Sequence, residues 1–144
     1  MMSDALARRI ADHLFSREGT AGAWGLMIEE VRIGYARVRM TIRHEMANGH
    51  GTVHGGMIFA LADSAFAYAC NSRNIATVAG GASILFLSPA RIGENLIAEA
   101  REDALAGRSG SYSVAVRTAD GRAVAQFQGL SRSIGGALID EQEN

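Results

Sequence analysis

The chain has 144 residues, room for one hydrophobic core and not for two independent ones. Hydrophobic residues make up 48% and charged residues 20%, the profile of a folded globular domain, and a net charge of -1 argues against nucleic acid or an acidic membrane as a partner. No apolar run reaches the roughly 20 residues that span a bilayer, and a single cysteine, Cys70, behind a polar amino terminus fits a cytoplasmic protein with no signal peptide and no internal disulfide.

Ser3 to Phe15 carries Leu6, Ile10 and Leu14 at helical spacing behind a capping serine, so an amphipathic helix is expected within residues 1–20, ending near Gly19. Trp24 to Ile33 is strand-like. Tyr35 to Arg43 alternates, with Ala36, Val38, Met40 and Ile42 on one face and Arg37, Arg39 and Arg43 on the other. Gly34 between them suits a tight connection or a bulge, so an antiparallel pair is expected. Asn48 to Gly56, with four glycines and two histidines, reads as a loop. Met57 to Cys70 then places Phe59, Ala62, Phe66, Ala69 and Cys70 at three- and four-residue steps with no glycine or proline, the pattern of a helix. Asp63 is its one charged residue, and a helix apolar on nearly every side calls for other structure around it.

Thr77 to Leu87 reads as a strand interrupted at Gly80 and Gly81 and stopped by Ser88-Pro89-Ala90. Alternation marks three further strands, around Leu96 to Ala100, around Tyr112 to Val116 and over Val124 to Ser133, the last entered through the turn signal Asp120-Gly121. Residues 138–144 form an acidic tail expected to be flexible. The order predicts a single α+β domain over 1–144, an antiparallel curved sheet wrapped around one long central helix. A chain this short has little room for both a core and a deep pocket, so an oligomer is expected.

The chemistry concentrates in the segment from Asn48 to Asp63. Gly55 and Gly56 at the mouth of the helix leave backbone N–H groups sterically open, where the helix dipole helps to hold a carbonyl oxygen gaining negative charge. Asp63 lies eight residues beyond Gly55, about 12 Å along an ideal helix, too far for both to grip one carbonyl within a single chain. Two copies with their central helices antiparallel would bring the Asp63 of one toward the Gly55 of the other. A carboxylate among Phe59, Ala60, Phe66 and Ala67 is costly to bury without a reason. It suits attack on a carbonyl or general-base catalysis with water, and equally a buried structural contact. Asn48 reads as a residue that orients water or the carboxylate, or as a turn residue before Gly49. His54 reads as a loop-holding residue or one touching the carbonyl oxygen.

The run from Asn48 through Ala69, with Ser88-Pro89-Ala90 and the final hairpin, resembles the hotdog-fold thioesterases, and most closely the PaaI type associated with phenylacetate degradation. The resemblance implies a hotdog fold and hydrolysis of small, aromatic acyl-CoA thioesters of the phenylacetyl or hydroxyphenylacetyl kind to the free acid and CoA. By it Asp63 matches the catalytic acid, Gly55 the backbone donor to the thioester carbonyl, and Asn48 and His54 the polar supporting positions, with Gly56 beside them for substrate. It also implies a homodimer with the long helices in the middle, commonly paired again into a tetramer. Relatives place a serine or threonine from the strand after the helix beside the acid; Thr77 is the nearest match. Arg91, Arg101 and Arg108, near strand ends or loops, are candidates for the CoA phosphates.

No cofactor or metal is expected, CoA being part of the substrate: His50 and His54 lack the glutamate of a zinc-protease helix, and neither a nucleophile elbow nor a P-loop occurs. Cys70 reads as a small core residue. Two other functions stay open at this level. One is a hotdog acyl-thioester hydratase or dehydratase using His54 with an acid; the other is a non-catalytic acyl-CoA-binding module.

Overall fold

The computed structural model describes residues 3–142; the outermost positions of the expected amino-terminal helix and flexible tail, 1–2 and 143–144, lie outside the described residues. Helix α1 spans Asp4–Arg17, capped by Ser3, whose Oγ accepts from Leu6 N at 3.0 Å, and it buries Leu6, Ala7, Ile10 and Ala11. Glu18, in extended conformation, ends it. A second, unexpected helix, α2, follows over Gly19–Trp24, so Trp24 does not begin a strand. Its end is set by Gly25 at φ 66°, with Leu26 N bonded back to Ala21 O at 2.9 Å, a left-handed cap that costs glycine little.

Strands β1 (Met27–Arg32) and β2 (Tyr35–Thr41) form the predicted hairpin across Gly34, at φ 71°. After a short 3-10 turn at His44–Met46 and the glycine-rich loop comes helix α3, Gly55–Cys70. Strands β3 (Thr77–Phe86), β4 (Asn95–Ala106), β5 (Ser109–Thr118) and β6 (Ala123–Ser133) complete one antiparallel sheet of six strands, ordered β1-β2-β4-β5-β6-β3. Gly80 is the extra residue of a bulge where β3 loses register with β6. The sheet curves about α3, which makes this a hotdog architecture.

Alternation gives the sheet its inner face: Ala36, Val38 and Met40 pair with Ala100, Ala98 and Leu96, and Val114 pairs with Phe127, all of them buried. Helix α3 lays Ile58, Leu61, Ala62, Ala65, Phe66 and Ala69 onto that face. Phe66 is the deepest anchor, edge-on to Tyr112 at 5.4 Å and tilted on Phe127 at 5.8 Å. Burying such a ring contributes roughly 1.5–3 kcal/mol. Gly129 makes room for it, since a Cβ there would sit 2.8 Å from Phe66 Cε1.

The opposite stripe of α3, from Gly56 through Ala60, Asp63, Ser64 and Ala67, is only partly covered within the chain. Strand β3 lies at the sheet edge, paired among the described residues with β6 alone and with most of its residues exposed, Leu85 among them at 69%. The start of the acidic tail is tied down: Leu138 N and Ile139 N both donate to Asn74 Oδ1, at 2.9 and 3.1 Å. Among the described residues no helix is long and apolar enough to cross a membrane.

Candidate active site

The loop before α3 is held on several sides. Val53 N donates to Ala90 O and His54 N to Met46 O, each at 2.8 Å, while Thr52 bridges Arg91 and Ala47 bridges Val53. Asn48 organises the tip. Its Oδ1 accepts from His50 N at 2.9 Å and Thr52 N at 3.2 Å, and its Nδ2 donates to Thr52 Oγ1 at 3.0 Å. Those bonds belong to the turn-forming reading of Asn48, although the residue also lines the cavity beside Gly55.

His54 is the N-cap of α3: its Nδ1 accepts from Gly56 N at 2.8 Å, and its carbonyl accepts from Met57 N and Ile58 N. A nitrogen that accepts cannot carry the proton, so Nε2 carries it. The Gly56 amide is therefore engaged. Gly55 N has no acceptor among the described residues, and it is the open donor at the positive end of the helix dipole.

Beside Gly55 lies a largely apolar cavity of about 380 Å³, walled by Val53, Ile58, Phe86, Leu87 and Pro89, with Asn48 and Ser88 as its polar members. The sequence reading missed Phe86. Its signal was there: Leu85-Phe86-Leu87 puts three large apolar side chains in a row at a strand end, where alternation would bury only every second one.

Asp63 stands two turns further along α3, half-buried, with no hydrogen-bond donor from the described residues of its own chain. Burial alone pushes its carboxyl above the usual aspartate range. Within one chain it does not meet Gly55, as the helical spacing requires.

Thr77 is not beside Asp63 in its own chain. The turn after α3 keeps it at the far helix end, where its N–H donates to the C-cap Asn71 at 2.9 Å and its Oγ1 to Ile75 O at 2.7 Å. There it shares a small cavity of about 100 Å³ with Arg108, Cys70 and Tyr112. Burial pushes the Cys70 thiol up to about 12. Arg91 is on the Gly55 side, bridged to Thr52, and its guanidinium has no ion-pair partner among the described residues. Arg101 is engaged, pairing with Glu99 at 3.3 Å and lying over the Tyr35 ring at 4.9 Å. No cluster of three or more histidine, cysteine or acidic side chains able to hold a metal occurs among the described residues.

Comparison with known proteins agrees with the fold. The family profile described as Thioesterase superfamily matches residues 50–125, the stretch that holds the loop, α3 and most of the sheet. The acyl-coenzyme A thioesterase PaaI of Escherichia coli is 39% identical over 131 residues, covering 91% of this chain and 94% of that protein. The solved structure of the E. coli PaaI protein, from the phenylacetic acid degradation operon, superposes with a TM-score of 0.91 at 38% identity, covering 93% of this chain and 97% of that one. A point mutant of the phenylacetic acid degradation protein PaaI from Thermus thermophilus superposes with a TM-score of 0.78 at 35% identity, over 81% of this chain and all of that one.

Proposed function

Since the chain belongs to the thioesterase superfamily, we propose that it is an acyl-CoA thioesterase of the PaaI type whose reactive centre is completed by a second subunit. The observation that carries this reading is a half-buried carboxylate, Asp63, with no donor among the described residues, on the stripe of α3 that its chain covers only in part. A partner helix packed antiparallel on that stripe would bring a Gly55 amide opposite Asp63. The exposed edge of β3 suits pairing with its own copy, which would join the two sheets into one. Pairing of such dimers into a tetramer follows the pattern expected from the resemblance.

In this centre the thioester oxygen accepts from Gly55 N–H, which stabilises the charge that develops as the carbonyl carbon becomes tetrahedral. Asp63 either attacks that carbon, forming a mixed anhydride that water then opens, or takes a proton from water as the water attacks. In both routes the C–S bond breaks, CoA leaves as the thiol, and one water is consumed. Its raised pKa makes Asp63 a better proton acceptor than an ordinary surface aspartate. Neither metal nor cofactor has a step to perform. Asn48 and His54 shape the loop that presents Gly55, and Arg91, on the same side and without an ion-pair partner among the described residues, is the better placed of the arginines for a CoA phosphate. The capping of Gly56 by His54 Nδ1 removes that nitrogen as the base a hydratase would use. The preferred acyl groups are small and aromatic, of the phenylacetyl kind, as the likeness to the PaaI proteins supports. A free, buried thiol at Cys70 suits the reducing cytoplasm.

The test is release of free thiol from a panel of acyl-CoAs by wild type and Asp63→Asn, with the oligomer measured for both. The mutant is expected to lose about 10²- to 10⁴-fold in kcat with its assembly intact. An unchanged rate removes Asp63 from the chemistry. No hydrolysis of any ester by wild type favours a binding module.

A further inference from the structure

Phe86 ends β3 paired with Ala125, and the chain beyond it is fixed: Leu87 N and Ser88 N donate to Val124 O at 2.8 and 3.3 Å, and Ser88 Oγ to Ala123 O at 2.6 Å. The backbone beneath the ring is thus held by the sheet, while the side chain stays 54% exposed. The tip of the ring presses on the start of α3. A Cβ added to Gly55 would lie 3.0 Å from Phe86 Cζ and 3.3 Å from Cε1. The same side chain walls the apolar cavity together with Val53, Ile58 and Pro89. A large aromatic side chain on a fixed backbone, touching the residue whose amide is free and facing an apolar cavity, is placed to meet whatever that amide binds.

Resting on the thioesterase reading, we infer that Phe86 selects the acyl group. A carbonyl oxygen about 2.9 Å from Gly55 N sets the first acyl carbons within van der Waals reach of the ring. An aryl group there meets an aromatic partner, where a linear chain meets only apolar area. Ring pairs exceed equal apolar contact by roughly two- to tenfold in binding.

The test compares kcat/KM for phenylacetyl-CoA and octanoyl-CoA, whose acyl groups have equal carbon counts, in wild type, Phe86→Leu and Phe86→Ala. Oligomeric state and thermal midpoint are checked for each variant. The phenylacetyl-to-octanoyl ratio is expected to fall about fivefold in Phe86→Leu, which keeps apolar bulk, and at least as far in Phe86→Ala. Ratios within about twofold of wild type in both variants, with both esters hydrolysed, overturn the role of Phe86 alone. A wild-type preference for octanoyl-CoA overturns it too. Hydrolysis of neither ester by wild type, with other acyl-CoAs hydrolysed, overturns the selection alone; hydrolysis of no acyl-CoA overturns the thioesterase reading, and the selection with it.

Discussion

Gly129→Ala tests how α3 is seated on the sheet. The added Cβ would lie 2.8, 2.9 and 3.0 Å from Cε1, Cζ and Cδ1 of Phe66, against the ordinary 3.5–4.0 Å between carbons. Phe66 is 1% exposed and held between Tyr112 and Phe127, so the ring has no free direction in which to yield. Overpacking of this kind costs about 1–3 kcal/mol, offset in part by the roughly 0.5–1 kcal/mol that alanine gains over glycine in a strand. A net loss of about 1–2 kcal/mol lowers the melting midpoint by roughly 2–8 °C for a chain near this size. Thermal and denaturant unfolding followed by circular dichroism measure it. Phe66→Leu in the same background should recover about 1 kcal/mol of the loss, read as a coupling energy in a double-mutant cycle. A Gly129→Ala protein as stable as wild type, or strictly additive effects, would refute the packing argument.

Two further outcomes follow from the site. His54→Ala removes the acceptor for Gly56 N and should cost about 1 kcal/mol of stability by thermal unfolding, while His54→Asn, able to accept the same bond, should recover most of both stability and kcat. Failure of asparagine to restore kcat while restoring stability would give the imidazole a role beyond the cap. Burial disfavours the Cys70 thiolate and raises its pKa to about 12, so at pH 8 only about one thiol in 10⁴ is ionised, rising tenfold per pH unit. A thiol reagent should therefore leave the native protein untouched at pH 8 and titrate one group per chain after unfolding; prompt native labelling would contradict that burial.

Local pattern made the elements legible where it was unambiguous. Alternation in Tyr35–Thr41 and Tyr112–Val116 named the inner face correctly, and the apolar steps from Met57 to Cys70 found α3. Helix α2 was missed because six residues, two of them glycine, carry no helical period, and Gly25 ends the segment through a backbone conformation that spacing does not reveal. Thr77 is the nearest match, on the strand after the helix, to the hydroxyl that the resemblance places beside the acid; within its own chain a turn anchored on Asn71 holds it at the C-cap, an anchor that sequence spacing does not show.

By itself, then, the sequence determined the α+β order, the glycine-rich loop facing a helix start, and one acid on an oily helix, since each depends on neighbours within a few residues. Only the tertiary structure decided which amide keeps no acceptor among the described residues, which ring lies against that glycine and which stripe of α3 stays only partly covered. Those answers depend on residues far apart in the chain, Phe86 against Gly55 and β6 against α3, which meet only when the sheet closes on the helix.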